Sequence, residues 1–193
     1  EILSVCFATE PETVFLVDFQ KAGLASTRVL ASKQLLESEN VVKIIHDCRM
    51  DSDALYHLFN ITTRNIHDTS CYHLVSTGSK ATLNDTLRYN GIAVNRARDS
   101  NVYKINNKFW AERPLTNRMK TWASQDVDKL FVLSSKQTDK LQYNRSLMAK
   151  AKAKSTEFSH EAVRKKVSLV VCKTPVGKFI GRGGANIRRV KKT

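Results

Sequence analysis

The chain has 193 residues, of which 41% are hydrophobic and 8% aromatic. This is enough to bury the core of one α/β domain, or of one domain with a small module, and it excludes general disorder. No apolar run reaches the roughly 18 residues of a membrane span, and the N-terminus lacks the pattern of a signal peptide. The cysteines form no Cys-x-x-Cys pair, which favours a reducing compartment, the cytoplasm first and the nucleus second. They are Cys6, Cys48, Cys71 and Cys172.

The charge of the chain is concentrated in its second half. Residues 1–100 carry 10 basic and 12 acidic side chains, whereas residues 101–193 carry 22 basic and 6 acidic ones, a net charge of +16 in a chain of +14. Residues 151–193 alone carry 12 basic and 2 acidic groups. Such density predicts a polyanionic partner, nucleic acid first and an anionic membrane surface second. A solvated basic tail without a partner is the alternative interpretation.

The first elements along the chain alternate between strand and helix. Residues 2–7 and 14–18 read as two strands of a hairpin, with a turn at 10–12. Apolar residues at helical spacing predict a helix over 24–37, and residues 41–45 form a short apolar strand.

The same alternation continues to residue 91. Residues 51–59 are predicted to form a helix that turns Leu55 and Leu58 inward, and residues 61–66 form another strand. A short helix over 81–89 ends at Asn90-Gly91. Alternating helices and strands indicate an α/β sheet domain.

The second half of the chain reads as helical and increasingly basic. Pro114 opens one long helix that extends to Leu133, and a basic helix follows over 141–154. We expect a linker at 156–166 and a new strand at 167–172. The buried face of the long helix is predicted to comprise Met119, Trp122, Ala123, Val127, Leu130 and Phe131.

Two aspartates are candidates for chemistry. Asp51 stands at the start of a helix, where it serves either as an N-cap or as a ligand. Asp126 lies four residues after Trp122, so the two side chains share one helical face. A carboxylate there can hold a divalent metal beside a substrate-contacting ring, whereas the alternative is a core aromatic residue with no such role.

Several motifs, in order and spacing, resemble the second and third motifs of the RNase D-like DEDD 3′–5′ exonucleases. The resemblance spans about residues 1–135 and implies an RNase H-like domain over 1–155, with a mixed sheet flanked by helices. The motifs are Lys43-Ile44-Ile45-His46, Asp51, Leu55, Asp68-Thr69, Arg113-Pro114-Leu115-Thr116 and Trp122-Ala123-Ser124-Gln125-Asp126-Val127.

The resemblance implies roles for three residues. Asp51 and Asp126 match metal ligands, and Trp122 stands where one subclass has a tyrosine that orients the attacking water. Because an indole has no hydroxyl, this substitution argues against activity. The family's first motif, an Asp-x-Glu on the middle strand of the sheet, is expected before residue 2. Without it the two-metal mechanism is not assembled, so we expect no cofactor, and Mg²⁺ or Mn²⁺ only if the protein is active.

The run Asp47-Cys48-Arg49 after His46 further resembles the piRNA-pathway exonuclease-domain and Egalitarian-like group. This resemblance implies an RNA-binding adaptor in RNA-mediated gene silencing, with a degenerate catalytic site and a dimeric form.

The C-terminus contains a second motif, Gly181-Arg182-Gly183-Gly184, that resembles the G-x-x-G element of a KH domain. Glycines between two short helices allow close approach of a phosphodiester backbone, which a helix N-terminus and basic side chains attract. Residues 167–193 are long enough for part of such a module only, and a glycine-rich helix end in a basic tail is the alternative. The expected RNA contacts are Lys178, Gly181, Arg182, Gly183, Gly184, Arg188 and Arg189.

A set of possible soft and borderline metal ligands, His57, His67, Cys71 and His73, matches no zinc pattern. We expect Cys71 and His73 to share one face of a helix that follows Asp68-Thr69 and to pack at the edge of the core.

The sequence therefore predicts a protein that binds single-stranded RNA through an exonuclease-fold domain and a partial KH-like element, without a membrane partner. Protein partners and a homodimer are further expectations. An active 3′–5′ exoribonuclease with its first motif upstream of Glu1 is the alternative function. A protein–protein scaffold is a third, but it leaves the charge of the second half unexplained.

Overall fold

The computed structural model describes residues 2–20, 22–99, 101–106 and 108–170. This part of the chain is a mixed α/β fold, which confirms the predicted fold class. None of its helices is both long enough and apolar enough to cross a membrane. The elements are β1 (Ile2–Phe7), β2 (Glu10–Asp18), α1 (Thr27–Glu37), β3 (Lys43–Ile45), α2 (Arg49–Phe59), β4 (Ile66–Asp68), α3 (Thr69–Thr77), α4 (Leu83–Tyr89), α5 (Val102–Ile105), α6 (Asn117–Gln125), α7 (Leu130–Leu141) and α8 (Arg145–Val170).

Strands β1 and β2 form the predicted antiparallel hairpin, in which Ile2 pairs with Asp18. The predicted turn at residues 10–12 is wrong, because the chain turns at residues 8–9 and residues 10–12 already belong to β2. Pro11 misled the prediction, since proline is tolerated near the end of an edge strand as well as in a turn.

Strands β3 and β4 form a separate parallel pair, with Ile45 opposite Asp68. The predicted strand over 61–66 is wrong, because residues 61–65 are irregular and β4 begins at Ile66. Asn60 and Asn65 adopt left-handed backbone conformations that bracket this segment. Ile61 is nonetheless fully buried, so its apolar character reflects a core position without strand geometry.

Helix α2 buries one face, on which Leu55 and Phe59 lie. Leu58 is 54% exposed, so the prediction that it points inward is wrong. Leu58 lies one residue before Phe59 and hence about 100° around the helix from it, which carries its side chain off the buried stripe.

The long helix predicted from Pro114 to Leu133 is divided into α6 and α7. Helix α6 begins after its N-cap Thr116, whose hydroxyl accepts the N–H of Met119, and ends at Asp126. The predicted buried face is largely confirmed, since four of its six members are buried and the other two partly buried. The buried members are Met119, Trp122, Ala123 and Leu130, and the partly buried ones are Val127 and Phe131.

The predicted basic helix begins later than expected, at Arg145, and continues to Val170 as α8. Residues 156–166, expected as a linker, lie within this helix. Residues 167–170, expected to begin a strand, are also helical, and the remainder of that predicted module lies outside the described residues. Helix α8 packs against α2 and α3, with Ala151, Ser155 and Phe158 buried.

The hairpin and the β3–β4 pair are not joined into one sheet in the described part of the chain. An apolar cavity of about 220 Å³ lies between them, lined by Leu3 and Val5 of β1, Ile44 of β3 and Leu130 of α7. A hydrophobic core next to this cavity packs the hairpin against α1 and α2. Its buried members are Phe19, Val29, Leu36, Leu55, Phe59 and Ile61.

Candidate functional site

Asp51 lies in the first turn of α2 and is exposed. It is not the N-cap, because Cys48 occupies that position and makes no side-chain capping bond. A carboxylate in the first turn is stabilised by the partial positive charge of the helix N-terminus. Its position leaves the Asp51 side chain on the surface of a cleft.

The start of α2 is held by the carboxylate of Asp68, which is completely buried. Asp68 accepts the backbone N–H groups of Asp47 and Cys48 at 3.0 and 2.8 Å. It also caps α3 by accepting the N–H and hydroxyl of Ser70. One carboxylate at the end of β4 therefore fixes the loop that leads to Asp51.

Asp126 is held by two donors from the loop that precedes α5. Its Oδ1 accepts Nδ2 of Asn95 at 2.8 Å and a guanidinium nitrogen of Arg98 at 3.0 Å. Asn95 is 3% exposed and also donates to the carbonyl of Trp122 at 3.0 Å. Sequence reasoning missed Asn95 and Arg98, because they lie in a loop without periodicity. They also precede Asp126 by 31 and 28 residues.

Trp122 is 2% exposed and sits one helical turn before Asp126, as predicted from the i, i+4 spacing. Its ring packs against Trp110 and Phe109, with centroids 5.5 and 5.8 Å away. Trp122 is therefore a buried core residue that also lines the cleft, and a contact of its ring with a substrate stays a prediction.

These residues converge on one cleft of about 550 Å³. The structure thus brings together the three sequence-predicted residues Asp51, Asp126 and Trp122, whereas their catalytic role stays a prediction. Clefts of this size hold molecules such as a nucleotide. The lining residues are Ile2, Ser4, Gln20, Asp51, Arg98, Trp110, Ala111, Arg113, Trp122, Ala123 and Asp126.

Arg113 at the rim of the cleft joins two distant parts of the chain. Its guanidinium donates two hydrogen bonds to the carboxylate of Asp18, one of them at 2.7 Å, across 95 residues of sequence. These bonds lower the pKa of Asp18 to about 2. The ion pair fixes the end of β2 against the segment that leads into α6.

The two carboxylates that the described part of the chain brings to the cleft do not by themselves complete a site for divalent cations. Such cations take several oxygen ligands, and two-metal nucleases need more carboxylates than two. Here Asp126 Oδ1 is already bonded to Arg98 and Asn95. Within the described ranges, no three His, Cys, Asp or Glu side chains are placed to share a metal ion.

The histidines and cysteine considered for zinc are packed separately. His67 stacks on Tyr72 with ring centroids 3.7 Å apart, and burial lowers the pKa of His67 to about 4. Cys71 is fully buried, and burial raises the pKa of its thiol to about 12. His73 is also buried, with its ring against Tyr89. These contacts agree with packing in the core.

The expected RNA contacts of the C-terminal element lie outside the described residues. They are Lys178, Gly181, Arg182, Gly183, Gly184, Arg188 and Arg189. Their role stays a prediction.

A mixed α/β fold with two aspartates on one cleft is the arrangement that the resemblance to RNase H-like exonuclease domains predicts. Residues 2–142 match the sequence model of a family described as 3′-5′ exonuclease. The match covers more than half of the chain, which therefore belongs to this 3′-5′ exonuclease family. The resemblance drawn from the motifs is confirmed at this level.

A curated relative is the piRNA biogenesis protein EXD1 of Bombyx mori, which is 30% identical over 115 residues. The alignment covers 57% of this chain and 36% of the relative. The chain thus spans about a third of the length of that protein.

Solved structures share the fold. RNase D of Trypanosoma brucei superimposes with a TM-score of 0.71 at 20% identity, covering 83% of this chain and 58% of that one. Its complex with RNA U12 gives 0.69 at 21% identity, with 83% and 56% covered. Brucella melitensis NrnC bound to pGG gives 0.61 at 15% identity, with 89% and 86% covered. At these identities the similarity shows the fold alone.

Proposed function

We propose that the protein is an RNA-binding adaptor of small-RNA processing, in the piRNA pathway or in related messenger ribonucleoproteins, whose exonuclease domain has a degenerate catalytic site. The proposal includes single-stranded RNA as ligand, a cytoplasmic location that extends to ribonucleoprotein granules, and assembly with protein partners or a second copy of the chain. The named function of the Bombyx mori relative supports the pathway.

The hydrogen bonds that Asp126 accepts are the main support for a loss of catalysis. An exonuclease of this family needs carboxylate oxygens free to bind metal, whereas Oδ1 of Asp126 accepts hydrogen bonds from Arg98 and Asn95. Trp122 adds a second reason, because its indole cannot replace a tyrosine hydroxyl in orienting water.

The distribution of charge supports RNA as the ligand. Residues 101–193 carry a net charge of +16, and 12 of their basic groups lie after residue 150. Neutralising phosphates with these groups releases counterions, so affinity must fall as salt rises. The complex of Trypanosoma brucei RNase D with RNA U12 agrees with RNA binding by this fold.

Filter binding of a labelled single-stranded RNA over a salt series tests the proposal. We expect a steep fall in affinity with salt, and clearly weaker binding by the Arg182→Asp, Gly183→Asp double variant. The control is Arg64→Asp, Gly23→Asp, which changes the net charge equally. Arg64 is an exposed residue in the first half, and open space surrounds Gly23. A flat salt response, or equal effects of the two double variants, would contradict the proposal.

An active 3′–5′ exoribonuclease with a first motif upstream of Glu1 is the second candidate. The apolar cavity between β1 and β3 favours it, because a further strand that filled this space would join the hairpin to the parallel pair. Ser4 borders both this cavity and the cleft, so such a strand would run past the two aspartates. An Asp-x-Glu in an apolar stretch upstream, together with metal-dependent RNA trimming by the longer chain, would establish this candidate.

A further inference from the structure

Two arginines line the cleft beside its two aspartates. A cleft with two carboxylates alone would repel a phosphodiester, and a divalent cation normally removes this repulsion in nucleases. In this cleft Arg98 supplies a positive charge 3.0 Å from Asp126 Oδ1.

Arg98 is suited to this task by its geometry. Its side chain is 44% exposed, whereas that of Asp126 is 29% exposed, so Arg98 is the more exposed member of the pair. A guanidinium carries five N–H donors, which lets it contact a carboxylate and a phosphate at the same time. Arg113, the other arginine of the cleft, is paired with Asp18, to which it donates two hydrogen bonds.

Asn95 prevents Asp126 from turning away from Arg98. Its Nδ2 donates to Asp126 Oδ1 and to the carbonyl of Trp122, and its Oδ1 accepts the N–H of Ala97 at 2.9 Å. The N–H of Asn95 in turn donates to Asn84 Oδ1 at 2.9 Å. The ion pair is thus held by a polar network centred on the buried Asn95, which reduces the entropy cost of keeping it formed.

We propose that Arg98 replaces a divalent cation as the counter-ion of Asp126, so that the cleft accepts the phosphodiester backbone of single-stranded RNA without metal. This inference rests on the proposed function and adds the chemistry by which the cleft takes part in it.

The chain offers an internal probe of the cleft. It contains two tryptophans, and both Trp110 and Trp122 line the cleft. Intrinsic tryptophan fluorescence during titration with hexauridylate therefore reports binding at this place, whereas filter binding reports binding anywhere on the protein. The titrations are run in EDTA and in Mg²⁺ at one ionic strength, because salt alone changes the affinity.

Wild type should bind hexauridylate equally in EDTA and in Mg²⁺, within twofold. Arg98→Gln should bind at least fivefold more weakly in EDTA, and Mg²⁺ should recover part of this loss because Asp126 Oδ1 then keeps only the hydrogen bond from Asn95 and no longer has a cationic partner. The control is Arg88→Gln, which removes another arginine paired with an aspartate and does not line the cleft. It should stay within twofold of wild type.

Asp126→Asn completes the test. It keeps an oxygen for Arg98 and Asn95 but removes the negative charge, so RNA affinity should be unchanged or higher. The Arg98→Gln, Asp126→Asn double variant should return towards wild-type affinity and lose the response to Mg²⁺, which identifies the pair as the coupled unit. Circular dichroism of each variant verifies its fold.

Two results would overturn the inference alone. They are a wild-type affinity that rises with Mg²⁺ and loses this rise in Asp126→Asn, or an Arg98→Gln variant that binds in EDTA like wild type. If wild type binds RNA neither in the fluorescence nor in the filter assay, the proposed function fails and the inference fails with it.

Discussion

The ion pair between Asp18 and Arg113 should contribute measurably to stability, because it joins β2 to the segment before α6. The perturbation is Asp18→Asn, which keeps the shape of the side chain and removes its charge. The pKa of Asp18 falls to about 2 from its ordinary value of 3.8, owing to the hydrogen bonds from Arg113. This corresponds to at most about 2.4 kcal/mol at 1.36 kcal/mol per tenfold change in proton affinity.

Solvent reduces that figure, because the side chains of Asp18 and Arg113 are 30% and 22% exposed. We therefore expect Asp18→Asn to lower the free energy of unfolding at pH 7 by about 1–2 kcal/mol. A lowered carboxyl pKa stabilises the fold above the ordinary pKa of 3.8 and loses its effect as pH falls towards 2. The difference between wild type and variant should accordingly shrink below pH 4.

Urea unfolding followed by circular dichroism measures the effect. Glu39→Gln is the matched control, because the pair of Glu39 with Arg64 is also an arginine–carboxylate contact but its side chains are 72% and 53% exposed. Its cost should stay within about 0.5 kcal/mol. Equal costs for the two variants, or a cost for Asp18→Asn that does not change with pH, would refute the role assigned to the Asp18–Arg113 pair.

Three more outcomes are expected. Burial lowers the pKa of His67 to about 4 from 6.5, so as pH falls the unfolded chain takes up the His67 proton at a higher pH than the folded protein does. The free energy of unfolding should therefore fall by about 2 kcal/mol between pH 7.5 and 5. Urea titrations should show a smaller loss for His67→Gln. Asp68→Ala should cost at least about 2 kcal/mol in the same assay, because it leaves the buried N–H groups of Asp47 and Cys48 without their acceptor. Iodoacetamide should label Cys6, which is only partly buried, in the native protein, whereas Cys71 should react only after unfolding; mass spectrometry of the two peptides checks this.

Local signals in the sequence predict much of the fold. The hairpin, α1 and α4 follow from apolar periodicity and from end signals such as Asn90-Gly91, where Gly91 indeed adopts a positive φ. The segment 61–65 was misjudged because a buried isoleucine looks the same in a strand and in an irregular segment. The break between α6 and α7 has no proline or glycine to announce it, since Asp126 itself ends the first helix.

The candidate site is predictable where it rests on motifs, and hidden where it rests on tertiary contacts. Asp51, Asp126 and Trp122 were found from their place in the exonuclease pattern, and the fold brings them to one cleft. Arg98 gave no signal, because its partner Asp126 lies 28 residues further along the chain and only folding brings the two together. Asp68 was visible as part of a motif, but its role in holding the loop before Asp51 depends on backbone groups that no side-chain pattern reveals.

Denaturing gels of a 5′-labelled single-stranded RNA, incubated with Mg²⁺ or Mn²⁺ and the natural full-length protein, distinguish an adaptor from a nuclease. A native gel of the same samples shows whether the RNA is bound. We expect a retarded complex in the native gel and RNA of unchanged length in the denaturing gel. Stepwise shortening from the 3′ end that disappears in Asp126→Ala would contradict the adaptor function and establish an active exonuclease.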